Sequence, residues 1–121
     1  MNLKCYVVDD EQHNVITIIE HIEKTDGLEL IGSSTNPVVA LEEIKKEKPD
    51  VVFTDLNMDV MNGITLAGHI DDFAQIVIVS GNPQHYYKNV DWKNYIYVLK
   101  GMSDKEFGQI ISDIKSHMAN K

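Results

Sequence analysis

Short, mostly apolar runs alternate with helical patterns along the whole chain, and this alternation constrains the fold more than any other feature. Each apolar run has the length of a strand and is followed by helically spaced apolar residues or by a helix-starting motif. The predicted strands are 3–9, 28–34, 50–55, 75–81 and 95–100. Strands that are apolar on both faces and separated by helices form a parallel sheet with helices on both sides. The sequence therefore predicts a doubly wound α/β fold.

Two helix starts carry recognisable capping signals. Asn36 is a favourable N-cap and Pro37 suits the first helical turn. Ser103 and Glu106 have the spacing of a capping box. The segment 84–90 has a weaker helical pattern. The five predicted helices are 11–24, 38–48, 64–73, 84–90 and the segment that follows Ser103.

Composition narrows the class of protein. A chain of 121 residues is normally one domain. It has no apolar run near the ~18 residues of a transmembrane helix, and its start turns acidic too early for a signal peptide. Its one cysteine, Cys5, excludes an internal disulfide, and the net charge of −8 makes nucleic acid a poor partner. We expect a soluble, cytoplasmic protein that binds neither membrane nor nucleic acid directly.

Polar residues stand where the predicted strands end. The first strand ends in Asp9 and Asp10, the third in Asp55, the fourth in Ser80 and the fifth in Lys100. Doubly wound sheets bind ligands beyond the carboxyl ends of their strands. If the strand order is 2-1-3-4-5, the three aspartates crowd together, which is costly for like charges. A hard divalent cation such as Mg²⁺ would remove that cost.

A calcium loop is the competing interpretation of residues 53–63, FTDLNMDVMNG. An EF-hand that starts at Asp55 needs glycine at its sixth position and glutamate at its twelfth. Those positions hold Val60 and Leu66, so the loop cannot close around calcium. A carboxylate with a metal, a hydroxyl and an ammonium around it is instead suited to accept a phosphoryl group. The product would be an aspartyl phosphate.

Five ordered stretches resemble the receiver domains of two-component response regulators: VVDDE at 7–11, FTDLNM at 53–58, NG at 62–63, VS at 79–80 and YVLK at 97–100. The stretch GLELIGSSTNPVVAL at 27–41 is most similar to receivers of LytTR-type response regulators. The resemblance implies a receiver domain over 1–121, with a flavodoxin-like five-stranded parallel sheet of order 2-1-3-4-5 flanked by five helices.

The resemblance also implies a role for each residue of the site. Asp55 would be the phosphoacceptor, and Mg²⁺ would be held by Asp9, Asp10, Asp55 and Asn57. The phosphoryl-binding and switch residues would be Ser80, Lys100 and Tyr97.

Partners follow from the same resemblance. The phosphoryl donor would be a histidine kinase or a phosphotransfer protein. Phosphorylation would switch a surface formed by the fourth helix, the fifth strand and Tyr97, and a homodimer is a further expectation. We expect a phosphoacceptor and not an enzyme. An aspartate-dependent phosphatase is disfavoured because Asn57, two residues after Asp55, cannot protonate a leaving group.

The chain departs from the family pattern at three positions. Asp59 and Gly101 stand where the family usually has proline, and Gly81 stands where it has alanine. The changes at Asp59 and Gly101 leave open a second function, that of an interaction module that works without phosphorylation. At Gly101 we expect a trans Lys100–Gly101 bond, because a cis bond before a residue other than proline costs about 2.5–4 kcal/mol. Glycine can redirect the chain through a positive φ instead.

Overall fold

Five parallel strands form one sheet in the order β2-β1-β3-β4-β5. The computed structural model describes residues 2–88 and 90–119, so Met1, Asn89, Asn120 and Lys121 of the predicted domain lie outside the described residues. The strand order and the parallel directions confirm the prediction. The strands are β1 Leu3–Val8, β2 Leu28–Ser34, β3 Val51–Asp55, β4 Gln75–Ser80 and β5 Ile96–Leu99.

Helices cover both faces of the sheet. Buried residues of α2 and α3 pack on one face, and buried residues of α1 and α4 pack on the other. The central strand β3 is buried along its whole length. Burying a large aliphatic or aromatic side chain stabilises the fold by about 1.5–3 kcal/mol, so these two clusters hold the layers together. The helices are α1 Gln12–Glu23, α2 Pro37–Glu47, α3 Gly63–Gly68 and α4 Asp104–Ala119.

Both predicted caps form. The side chain of Asn36 accepts hydrogen bonds from the amides of Val38 and Val39, at 2.9 and 3.3 Å. The Ser103 hydroxyl accepts from the amide of Glu106 at 3.1 Å, while the Glu106 carboxylate accepts from the amide of Ser103 at 3.0 Å. These bonds satisfy amides that a helix start otherwise leaves unpaired.

The prediction of five α-helices is wrong over the described residues. Of the segment 84–90, only Gln84–Tyr86 is helical, as one turn of 3₁₀ helix, and Asn89 lies outside the described residues. The segment has no long apolar stripe and is rich in residues with modest helix propensity. Tertiary contacts of its tyrosines, described below, therefore determine its path.

The predicted helix 64–73 is also shorter than expected. α3 ends at Gly68, and the chain continues through turns to β4. Glycine has low helix propensity, and the acidic pair Asp71-Asp72 would face the negative end of a longer helix. No helix in the described parts of the chain is long and apolar enough to cross a membrane.

Candidate functional site

The register of the sheet brings the polar strand ends together. Val8 of β1 pairs with Thr54 of β3, so the next residues, Asp9 and Asp55, lie side by side. On the other side of β3, β4 ends at Ser80, which pairs with Leu99 of β5. Lys100 follows, and its amide donates to the Ser80 carbonyl at 2.8 Å.

Three aspartates form an acidic cluster at this edge of the sheet. Carboxylate oxygens of Asp9, Asp10 and Asp55 all lie within 4.8 Å of one another. Asp9 and Asp55 are only 4% and 6% exposed. Repulsion between like charges with so little solvent is costly. Hard oxygen ligands around a small gap are the donor set that Mg²⁺ prefers, so the cluster fits that cation.

Lys100 partly neutralises the acidic cluster. Its Nζ lies 3.3 Å from Asp55 Oδ1 and 3.4 Å from Asp9 Oδ2. The described residues contain no cis peptide bond, and Gly101 has a φ of +88°. The expectation of a trans bond followed by a left-handed glycine is confirmed. Glycine at 101 thus leaves the lysine in the site.

The carboxyl group of Asp55 titrates unusually. Burial, reinforced by the charge of Asp9, raises its pKa to about 6, although Lys100 acts in the opposite direction. Burial alone would lower the pKa of Lys100, but Asp55 and Asp9 outweigh it, and the pKa rises. Without a metal, Asp55 therefore carries a free-energy penalty for being charged.

Local backbone contacts fix the two acidic loops. Asp9 Oδ1 accepts a hydrogen bond from the amide of Glu11 at 2.9 Å. After β3, the amide of Gly63 donates to the Leu56 carbonyl at 2.8 Å. A Cβ placed on Gly63 would lie 2.2 Å from the Asp55 carbonyl oxygen. The start of α3 therefore sits directly against the backbone of Asp55.

The remaining predicted residues lie around the acidic cluster. Ser80 is buried, and its Oγ accepts from the amide of Asn82 at 3.2 Å. The Tyr97 hydroxyl donates to the Asn82 carbonyl at 2.5 Å. The side-chain amide of Asn57 points to Tyr87, with 2.9 Å between Nδ2 and the phenol oxygen. A Cβ on Gly81 would meet no atom within 4 Å, so packing does not require glycine there.

Tyr87, like its partner Asn82, is a residue of the site that the sequence did not reveal. Its hydroxyl also accepts a hydrogen bond from Asn82 Nδ2 at 3.0 Å. In the sequence it is one of several tyrosines in a weakly patterned segment. No local motif marks it, because its position depends on the irregular path between β4 and β5.

The comparison with protein families decides the family of this chain. The family model described as response regulator receiver domain matches residues 5–114. The chain belongs to this family. It is a receiver domain of two-component signalling, and the predicted family is confirmed; the LytTR-type subtype stays a prediction.

Individual relatives are moderately similar to this receiver domain. An uncharacterized response regulatory protein of Vibrio parahaemolyticus is 32% identical over 100 residues, which cover 81% of this chain and 41% of that protein. The Salmonella typhi transcriptional regulatory protein BtsR is 23% identical over 121 residues, which cover 98% of this chain and 51% of that protein. The chain spans about half the length of the curated relatives that it matches.

A solved structure confirms the receiver fold. The response regulatory domain of protein mrkE from Klebsiella pneumoniae superposes with a TM-score of 0.84. The superposition covers 98% of this chain and 100% of the mrkE domain, at 20% sequence identity. At this identity the likeness concerns the fold alone.

Proposed function

We propose that this receiver domain accepts a phosphoryl group on Asp55 from the phosphohistidine of a histidine kinase or phosphotransfer protein. The arrangement of Asp55 carries the proposal. Its carboxylate is nearly buried, stands beside two further acids and contacts the Lys100 ammonium at 3.3 Å. A carboxylate in this setting can attack phosphorus while neighbouring positive charge stabilises the transferred group.

The chemical step uses residues of this chain. An oxygen of Asp55 bonds to phosphorus while the bond between phosphorus and the donor nitrogen breaks, and its electron pair stays on the donor imidazole. Lys100 compensates the negative charge of the phosphoryl oxygens. Ser80 is placed one residue beyond the pairing of Asp55 with Val79, so its hydroxyl can approach the same group.

Mg²⁺ is the proposed cofactor. Asp10 and Asp55 would bind it directly, Asp9 through water and Asn57 through its backbone carbonyl. When bound, the cation neutralises charge on the carboxylates and on the phosphoryl oxygens. The hydrogen bond from the Glu11 amide orients the Asp9 carboxylate and supports this proposal.

Phosphorylation would change the conformation of the side of the domain that carries Tyr97. Tyr97 and Ser80 both contact Asn82, so a movement of the Ser80 hydroxyl is transmitted to the ring through one residue. We propose a partner-binding surface, or a homodimer contact, made by β5 and the segment before it. Among the described residues, the predicted helix 84–90 contributes only the single 3₁₀ turn Gln84–Tyr86 to this surface.

Incubation with Mg²⁺ and acetyl phosphate tests the proposed function. The intact mass of the wild-type protein should rise by one phosphoryl group, and Asp55→Asn should abolish the increase. Asp59→Asn is the matched control, because Asp59 lies four residues later in the same loop and is exposed. A wild-type protein that stays unlabelled while a known receiver is labelled contradicts the proposal, as does labelling of Asp55→Asn.

Mg²⁺ should raise the melting temperature of the wild-type protein. Binding to the native state alone at a tenfold excess over Kd adds about 1.4 kcal/mol of stability. Asp10→Ala should remove most of this gain. Asp72→Ala, which changes an exposed acid before β4 at the opposite end of the sheet, should keep it. An equal Mg²⁺-dependent shift in Asp10→Ala and wild type would show that the metal assignment is wrong.

A further inference from the structure

The Tyr87 hydroxyl bridges the two loops that frame Asp55. Its oxygen accepts one hydrogen bond from Asn57 Nδ2, at 2.9 Å, and another from Asn82 Nδ2, at 3.0 Å. Asn57 lies two residues after Asp55, and Asn82 lies two residues after Ser80. One phenol oxygen therefore ties the loop after β3 to the loop after β4.

Aromatic packing holds the Tyr87 ring independently of this bridge. Its centroid lies 6.4 Å from the Trp92 ring and 6.4 Å from the Tyr97 ring. Trp92 and Tyr97 pack edge to face, with centroids 4.9 Å apart. Such pairs contribute beyond the area that they bury. Phenylalanine at 87 should keep the ring in place while removing the bridge alone.

The two asparagines place the phenol beside the phosphoryl pocket. Asn57 belongs to the loop that follows Asp55, and the amide of Asn82 donates to the Ser80 hydroxyl at 3.2 Å. Ser80 is the hydroxyl proposed above to approach the phosphoryl group. Because the phenol oxygen already accepts two amide hydrogens, it holds both asparagine side chains in fixed orientations beside the pocket.

The position of the bridge matters for two reactions. Phosphoryl transfer proceeds in line, so the leaving group of a donor departs from the side of phosphorus opposite the Asp55 oxygen. In hydrolysis a water oxygen bonds to phosphorus from that same side. The acyl O–P bond then breaks, its electron pair stays on the Asp55 carboxylate, a proton passes to solvent and inorganic phosphate leaves. A group that narrows this approach slows both reactions.

We propose that Tyr87 is a positioning residue that closes the in-line approach to Asp55 by bridging Asn57 and Asn82, and so prolongs the life of the aspartyl phosphate. The inference rests on the proposed function of Asp55. Loss of the hydroxyl separates the two loops and opens a path for water, which accelerates hydrolysis.

Rate measurements on variants of this chain test the proposal. Wild type, Tyr87→Phe and Tyr86→Phe are phosphorylated with acetyl phosphate and Mg²⁺, the donor is removed, and loss of the phosphoryl group is followed by intact mass. One hydrogen bond corresponds to a rate change of roughly threefold to tenfold. In Tyr87→Phe, both the rate of hydrolysis and the rate of labelling should be higher than in wild type by this factor. Tyr86→Phe should match wild type, because Tyr86 is an exposed neighbour outside the bridge.

Further measurements separate the effect of breaking the bridge from a general loss of structure. The Mg²⁺ Kd of Tyr87→Phe should match wild type. Its melting temperature should fall by only about 2–8 °C, the loss expected when the hydrogen bonds of the bridge are removed and the loops are otherwise undisturbed. Asn82→Ala should accelerate hydrolysis by a similar factor, and the double variant should be no faster than either single variant, because each breaks the same bridge.

The outcomes distinguish this inference from the function on which it rests. If wild type is not labelled, the proposed function fails and this inference fails with it. If wild type is labelled but Tyr87→Phe hydrolyses at the wild-type rate or more slowly, only the role of Tyr87 is overturned. Multiplicative effects of Tyr87→Phe and Asn82→Ala would likewise overturn the shared bridge.

Discussion

Gly63→Ala is expected to destabilise the protein by about 3 kcal/mol, at the upper end of the range for overpacking. The added Cβ would lie 2.2 Å from the Asp55 carbonyl oxygen and 3.2 Å from the Leu56 Cα. Both are backbone atoms that cannot rotate away, so the loop after β3 has to move. Urea unfolding measures the loss. Labelling by acetyl phosphate should also slow, because the displaced backbone carries Asp55.

Gly68→Ala is the matched control for this substitution. Gly68 is the last residue of the same helix, and a Cβ there would meet no atom within 4 Å. Alanine is the better helix former, so stability should stay level or rise by up to about 1 kcal/mol. Equal stabilities of the two variants would contradict the close contact between Gly63 and Asp55.

Asp55→Asn is expected to stabilise the metal-free protein at neutral pH by roughly 2–3 kcal/mol. The folded-state pKa of Asp55 is about 6, against an ordinary value of 3.8. Because the folded pKa is raised, the native state holds the proton that the unfolded state releases between these values. Wild-type stability therefore falls as pH rises from about 4 to about 6. Asparagine has no charge to bury and avoids that loss.

Urea unfolding in the presence of EDTA measures this effect at pH 4 and pH 7.5. The stability difference between Asp55→Asn and wild type should be small at the lower pH and reach its full size at the higher. Asp59→Asn changes an exposed acid in the same loop, and its stability difference from wild type should not increase with pH. A difference that is independent of pH, or a less stable Asp55→Asn at pH 7.5, would refute the burial penalty.

Much of the site was predictable because parallel topology converts sequence order into proximity. Asp9, Asp55, Ser80 and Lys100 each end or follow an apolar strand, and the strand order puts those ends at one edge. The salt bridges of Lys100 to Asp9 and Asp55 follow from that geometry. The roles of these residues in chemistry stay predictions until phosphorylation is measured.

The sequence was less informative where side chains, and not periodicity, determine the backbone path. Residues 84–90 were predicted to form a helix because a pattern of only seven residues is too short to distinguish a single helical turn from a helix of two turns. From the sequence, Gly63 was only the residue before a predicted helix, although in the structure it lies against the Asp55 carbonyl. Tyr87 could not be placed, because its partners Asn57 and Asn82 come from different loops.

The described residues between β4 and β5 form almost no regular helix, and this affects how the domain opens. In a helix each turn is held by local backbone bonds, so one altered side chain leaves most of it intact. Here the described segment relies on contacts among Tyr87, Trp92 and Tyr97, together with a few isolated backbone bonds. Regions of this kind unfold locally at lower free energy than the core and exchange amide hydrogens as a unit. A binding partner that captures a single aromatic ring can therefore release the whole segment, at a small fraction of the energy needed to unfold the sheet.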